Sequence, residues 1–227
     1  MRIDYRDAVD ALDRAYGGVS ALTERLSRHD LLAATRCHGW VVADVLFHLL
    51  CDAQRALVTL ATPVAGPPDR DAVTYWPGFA AEADDPTPAA WWVRRSASAF
   101  RDGSGAATLW LETAPAAVRL AARADPDGCV ATQGHVLAVS DFLATLVTEA
   151  VIHHLDLTVQ LTGMPAPDPV AVALTERTLD GLLGPATRRP AAWTSEEYLL
   201  KATGRVALSE ADRQSLGPAA DRFPLLS

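Results

Sequence analysis

The sequence is poor in lysine, cysteine and aromatic residues. Lys201 is the only lysine among 20 basic residues, which face 28 acidic ones and leave a formal net charge of -8. Phosphate backbones are bound by clustered basic surfaces, and the short pairs Arg94-Arg95 and Arg188-Arg189 do not make one. Nucleic acid is therefore excluded as an expected partner. Three cysteines, Cys37, Cys51 and Cys129, are an odd and sparse set, unlike the disulfide framework of a small secreted domain. No stretch reaches the roughly 18 uncharged apolar residues of a membrane span. The opening Met1-Arg2-Ile3-Asp4-Tyr5-Arg6-Asp7 carries no apolar run of secretory-signal type. The expectation is a cytoplasmic protein that does not engage a membrane.

What is present is alanine, leucine and helical periodicity. Aromatics are 7% of the chain, and the abundance of Ala and Leu leans toward helices. With 227 residues, 49% hydrophobic and 21% charged, the chain can bury a sizeable core in one large domain or a domain with an appendage. Apolar spacings of three and four predict a helix over about 4–28 that Gly17-Gly18 weakens, and a second over about 41–61. Residues 62–87, rich in Pro, Gly and Asp, read as a long crossover. A third helix starts near 87, with Thr87 as cap and Pro88 at its first position, followed by helix over about 106–123. Residues 128–139 read as a β-hairpin centred on Gly134. Ser140 is expected to cap a long helix over about 141–162 that stops at Gly163, with another helix near 168–183. The tail beyond 186 alternates weakly and holds a helical turn at Ser209-Glu210-Ala211-Asp212.

The chemistry concentrates in two of these helices. Glu149 and His153 are four residues apart and share a helix face. His154, five residues from Glu149, points about 140° away, so Glu149 selects His153. Asp156, three residues beyond His153, suits orienting that imidazole or binding a substrate. The earlier helix offers His48 inside the apolar run Val45-Leu46-Phe47-His48-Leu49-Leu50, where an unpaired imidazole is costly. Two histidines and a carboxylate are a common zinc set that leaves a coordination position open, and they also suit ferrous iron or nickel. The plainer readings are an i,i+4 surface pair for Glu149 and His153, and a satisfied core histidine for His48. Cys51 and Asp52, one turn after His48, are rival ligands or supports. Cys37-His38 diverge too much, as neighbours, for both to ligate one metal easily.

Two stretches resemble a known family. Gly39-Trp40-Val41-Val42-Ala43-Asp44-Val45-Leu46-Phe47-His48-Leu49 resembles the metal-binding helix of the DinB-like bundle superfamily, and more closely its actinobacterial mycothiol-dependent maleylpyruvate isomerase branch. Asp141-Phe142-Leu143-Ala144-Thr145, followed by Glu149-Ala150-Val151-Ile152-His153-His154-Leu155-Asp156-Leu157, resembles that branch's second motif. The resemblance covers roughly residues 5–184. The tail from Gly204 to Leu226 resembles tails of other members rather than the separate C-terminal domain of the isomerase itself.

The resemblance implies an all-α DinB-like four-helix bundle over 1–184. It has a long crossover between helices 2 and 3, a short β-hairpin before helix 4, and a C-terminal extension over 185–227 packed on the same domain. It implies a divalent metal, zinc before nickel or iron, on His48, Glu149 and His153. Mycothiol would take the open position as a thiolate nucleophile for S-transfer to, or isomerisation of, a small electrophilic substrate. Asp52 and Asp156 are expected to orient ligands during catalysis. Arg94 and Arg95 are expected to meet a carboxylate of the thiol or substrate, and Trp40 to line the site mouth. Tyr75, Trp76 and Phe79 could form a lid. The rival readings are a metal-containing scaffold without turnover and a metal-dependent hydrolase; the chain is a monomer or a homodimer.

Overall fold

A computed structural model describes residues 3–76, 88–100 and 103–226. The described elements run α1 (Tyr5–Thr23), α2 (Val42–Ala61), β1 (Pro63–Val64), α3 (Pro88–Ala97), α4 (Ser104–Ala121), β2 (Cys129–Thr132), β3 (His135–Ala138), α5 (Val139–Thr158), α6 (Pro169–Leu183), α7 (Ser195–Ala202) and α8 (Glu210–Leu216). The long helices α1, α2, α4 and α5 close the bundle: α1 packs on α4 and α5, and α2 packs on the same pair. Helix α3 lies on α2, α6 covers α5 and α1, and α7 packs on α6. Among the described residues, no helix is long and apolar enough to cross a membrane.

Local sequence explains where these helices start. Asp4 accepts the N–H groups of Arg6 and Asp7 at the head of α1, and Ala8, Leu12, Ala15, Val19 and Leu22 then face the core. The helix runs unbroken through Gly17-Gly18, where a weakened middle was expected. Before α2, Gly39 (φ +74°) turns the chain, Ala34 bridges Val41, and the Asp44 carboxylate accepts the Val41 N–H at 2.9 Å. That turn delivers Trp40 and the start of α2 to the end of the bundle where the site lies. The core is built on Trp110, Tyr16, Tyr198 and Phe142 with leucines around them; the Tyr16 and Trp110 rings meet at 4.9 Å.

Helix α5 is buried on almost every side, as a central helix must be when helices cover it all round. It departs from the expected bounds at both ends. Ala138, the last residue of β3, is its N-cap, so Ser140 lies inside the helix, because β3 runs straight into it and Val139 is tied to Gly128. At the other end, Thr158 bonds back to the His154 carbonyl, Leu161 N–H turns onto Thr158, and Gly163 takes φ +72°. A side chain that competes for helical carbonyls, followed by a left-handed glycine, stops the helix before 162.

The expected hairpin is present, with Gln133 (φ 47°) and Gly134 (φ 83°) at its tip. The short β1 adds a third strand against β2. Beyond 186 the weak alternation hides α7, whose start is marked by the reciprocal bonds of Thr194 and Glu197. Tyr75 and Trp76 are buried, and Trp76 Nε1 donates to the Ala72 carbonyl at 2.8 Å. They anchor the described part of the crossover; Phe79 and Thr87 lie outside the described residues.

Candidate metal centre

Because α5 is buried, each polar side chain on it must find a partner. The adjacent histidines solve this in opposite directions. His154 is buried and turned away, with Nε2 donating to the Pro165 carbonyl at 2.8 Å. Burial holds its pKa below the usual histidine value, so it serves as a neutral donor. His153 faces α2. Its Nε2 lies 3.1 Å from Glu149 Oε2, and that same oxygen lies 3.4 Å from His48 Nε2.

One donor atom each from His48, Glu149 and His153 thus falls within 4.8 Å of the others. Nitrogen and oxygen ligands held about 2.0–2.2 Å from a tetrahedral zinc stand roughly 3.3–3.6 Å apart; the two nitrogen–oxygen separations are near that spacing. The His48 and His153 rings meet edge-on with centroids 4.7 Å apart, so both can aim nitrogen at one point. The group is partly exposed: the His48 and Glu149 side chains are 26% and 30% exposed, whereas Asp156 behind His153 is fully enclosed. His48 and Glu149 are thus the solvent-facing members of the donor group. The donor chemistry, spacing and exposure all fit a divalent metal.

Behind His153 stands a second layer. His153 Nδ1 is 2.9 Å from Asp156 Oδ2, which also accepts from the Cys37 thiol at 3.2 Å. Arg205 closes on the same carboxylate with Nε 3.2 Å from Oδ1 and Nη2 3.1 Å from Oδ2. Cys37, His153 and Asp156 are themselves a set of donors within 4.8 Å. The guanidinium, however, already meets the charge of Asp156 and occupies both oxygens, so this layer supports the first rather than offering an equal cation site. Cys37 turns inward while His38 stays exposed.

The electrostatics follow from this packing. Burial works against the charged form of Glu149, but hydrogen bonds with His153 and His48 outweigh it and hold the carboxyl well below its ordinary value. Burial likewise disfavours a charge on His153, yet Cys37, Asp156 and Glu149 together raise its pKa. Asp156 is lowered despite its burial, by His153 and Arg205. Asp52 goes the other way: burial raises it, only partly offset by His48. Its Oδ1 is 3.4 Å from Arg55 Nη1. Its Oδ2, 3.6 Å from His48 Nε2, has no hydrogen-bond partner.

The remaining expected residues lie at graded distances. The Trp40 ring stands 5.7 Å from the His48 ring, at the edge of the donor group. Arg94 is exposed, its guanidinium 5.7 Å above the Trp91 ring, and a Cβ on Gly39 would stand 3.6 Å from its Nη1. It is therefore beside the turn that precedes Trp40. Arg95 is exposed on the next helical position, about 100° around α3. Cys51 is half-buried, with its thiol pushed up to about 11 by burial and by neighbouring Asp52, and belongs to neither donor set. Sequence reasoning missed Arg205 entirely and left Cys37 unconnected to the site.

A family model described as the mycothiol maleylpyruvate isomerase N-terminal domain matches residues 7–158. No curated protein and no solved structure matches the chain. The matched stretch runs from α1 through the whole of α5 and holds Cys37, His48, Glu149, His153 and Asp156; it stops well short of Arg205. The all-α DinB-like bundle described above is the fold this match implies. Since the model covers well over half of the 227 residues, the chain belongs to the mycothiol maleylpyruvate isomerase N-terminal domain family.

Proposed function

We propose that this protein is a metal-dependent enzyme that uses a low-molecular-weight thiol, mycothiol, to attack a small electrophile, by S-transfer or by isomerisation. The observation that carries the reading is the convergence of His48 from α2 with Glu149 and His153 from α5, in a chain of this family, on a point open to solvent. These three residues would hold the ion, with zinc the first choice for two imidazoles and a carboxylate. When bound, the metal supplies a Lewis acid that keeps the thiol in its nucleophilic, deprotonated form.

The chain's own residues do the rest. Glu149 stays anionic and binds between the two imidazoles. Asp156 accepts the Nδ1–H of His153, so that Nε2 is the nitrogen that would give its lone pair to a bound metal. Asp52 keeps a buried, unpartnered oxygen beside His48, an acceptor for the proton that the thiol gives up. Trp40 walls the His48 side, and Arg94 stands by Gly39 where it can meet a carboxylate on thiol or substrate.

Thermal denaturation with zinc and mycothiol, with and without a chelator, tests this. The expected result is a rise in Tm with the thiol that requires the metal. Metal-loaded protein that gave no response to mycothiol would overturn the thiol assignment. Turnover of a model ester without thiol would replace it with hydrolysis.

A further inference from the structure

Asp156 is fully enclosed, and its charge needs more than one imidazole N–H to be tolerated there. The rest comes from 49 residues further along the chain. After α7 the backbone turns at Gly204 (φ +72°), and Arg205 N–H bonds the Leu200 carbonyl at 2.8 Å. The side chain, 17% exposed, then runs inward. Its Nε and Nη2 meet the two oxygens of Asp156 as a fork on a fork, and its Nη1 donates to the Thr203 carbonyl at 2.9 Å. Such bidentate pairs fix orientation as well as charge, which a lysine ammonium cannot do.

The consequence reaches His153. With both oxygens gripped, Asp156 cannot rotate, and Oδ2 is held 2.9 Å from His153 Nδ1. Nδ1 of His153 therefore donates its proton to Asp156, and Nε2 faces Glu149 as the nitrogen that a metal would take. Outer partners of this kind fix both tautomer and ring angle of a ligating histidine.

We infer that Arg205 is a positioning residue of the candidate metal centre: by clamping Asp156 it holds His153 in the orientation and tautomer that offers Nε2 to a metal. The inference rests on the metal reading proposed above. It makes the segment after α7, which lies outside the matched residues 7–158, part of the site. Metal affinity thereby depends on how that segment docks against α5.

The test uses the full chain with Arg205→Met, which keeps the apolar stem, and Arg205→Lys, which keeps a charge but not the fork. Zinc affinity is measured by competition with a chromophoric chelator, the Tm is measured without metal, and the His153 Nδ1–H resonance is followed by 15N–1H NMR. Removing an outer partner of a ligating histidine weakens metal binding by about 10–100-fold, and that loss is expected for Arg205→Met. Arg205→Lys should fall between it and wild type, with the Nδ1–H resonance shifted or exchange-broadened in both. If Arg205 only fastens the tail, Tm falls while zinc affinity and the Nδ1–H resonance stay at wild-type values; that result overturns the inference. Should Arg205→Met fail to fold, unchanged zinc affinity in Arg205→Lys overturns it equally. Wild-type protein that bound no zinc would sink the metal reading instead, and the Nδ1–H resonance of metal-free protein would still decide whether Arg205 sets the state of His153.

Discussion

His153 and Asp156 sit one turn apart on α5, with Nδ1 of the one 2.9 Å from Oδ2 of the other. The pair joins two regions of different character: a half-open donor group on the α2 side and a closed ionic layer toward the C-terminal segment. Whatever moves Asp156 therefore moves both the putting-together of the donors and the docking of the tail.

Asp156→Asn removes the charge but keeps the shape. It leaves the Arg205 guanidinium without its counter-ion in a largely enclosed position, and breaking a buried pair in this one-sided way costs on the order of 3 kcal/mol. Chemical denaturation should show a loss of that size in metal-free protein, accompanied by weaker zinc binding. A variant as stable as wild type would mean that the pair is solvated and the layer is not closed.

His153→Ala and His154→Ala should separate cleanly although the residues are neighbours. The first removes a donor atom and should abolish stoichiometric metal. The second leaves the donors in place but opens a cavity beside Gly18 and orphans the Pro165 carbonyl, a loss of roughly 1–3 kcal/mol. Elemental analysis and thermal denaturation of the two variants give opposite patterns on this view. Full metal in His153→Ala would show that the donor group is wrongly assigned.

How far the sequence revealed this site depends on how local each signal is. Glu149, His153 and Asp156 were legible because 3.6 residues per turn places positions i, i+4 and i+7 together without any tertiary knowledge. His48 stood out as a polar residue in an apolar run. Cys37 did not, because the turn at Gly39 and the docking of α2 on α5 decide where it points. Arg205 carries no local mark at all: a single arginine after a short helix becomes informative only when the fold carries it to Asp156. The start of α5 was missed for a similar reason, since Ser140 is a good capping residue that a strand leading directly into the helix made unnecessary.

Gly17 offers a test of the bundle away from the site. It is exposed in mid-helix, its φ is that of an ordinary helical residue, and a Cβ there would meet nothing within 4 Å. Alanine is favoured over glycine in a helix interior by about 1 kcal/mol. For a domain of this size, that corresponds to a rise of about 2–4 °C in Tm for Gly17→Ala. An unchanged or lower Tm would indicate that this glycine serves a backbone adjustment absent from the structure described.

The last prediction concerns pH and the C-terminal segment. Asp212 is largely buried and gathers Lys201 Nζ at 2.8 Å, Trp193 Nε1 at 2.6 Å and the N–H and hydroxyl of Ser209. Burial disfavours its charge, but Lys201 and Ser209 prevail and its pKa lies well below the ordinary value. A depressed folded-state pKa means that the unfolded chain binds the proton more readily. The stabilisation is therefore complete at pH values above the ordinary aspartate pKa of about 3.9, and it fades as pH drops below that toward the lower folded value. Asp212→Asn should be less stable than wild type at pH 7 and at pH 5, and the gap should shrink at pH 3. Denaturation at those three values reads it directly. A gap of constant size down to pH 3 would mean that the hydrogen bonds alone, not the charge, hold α8 against α7.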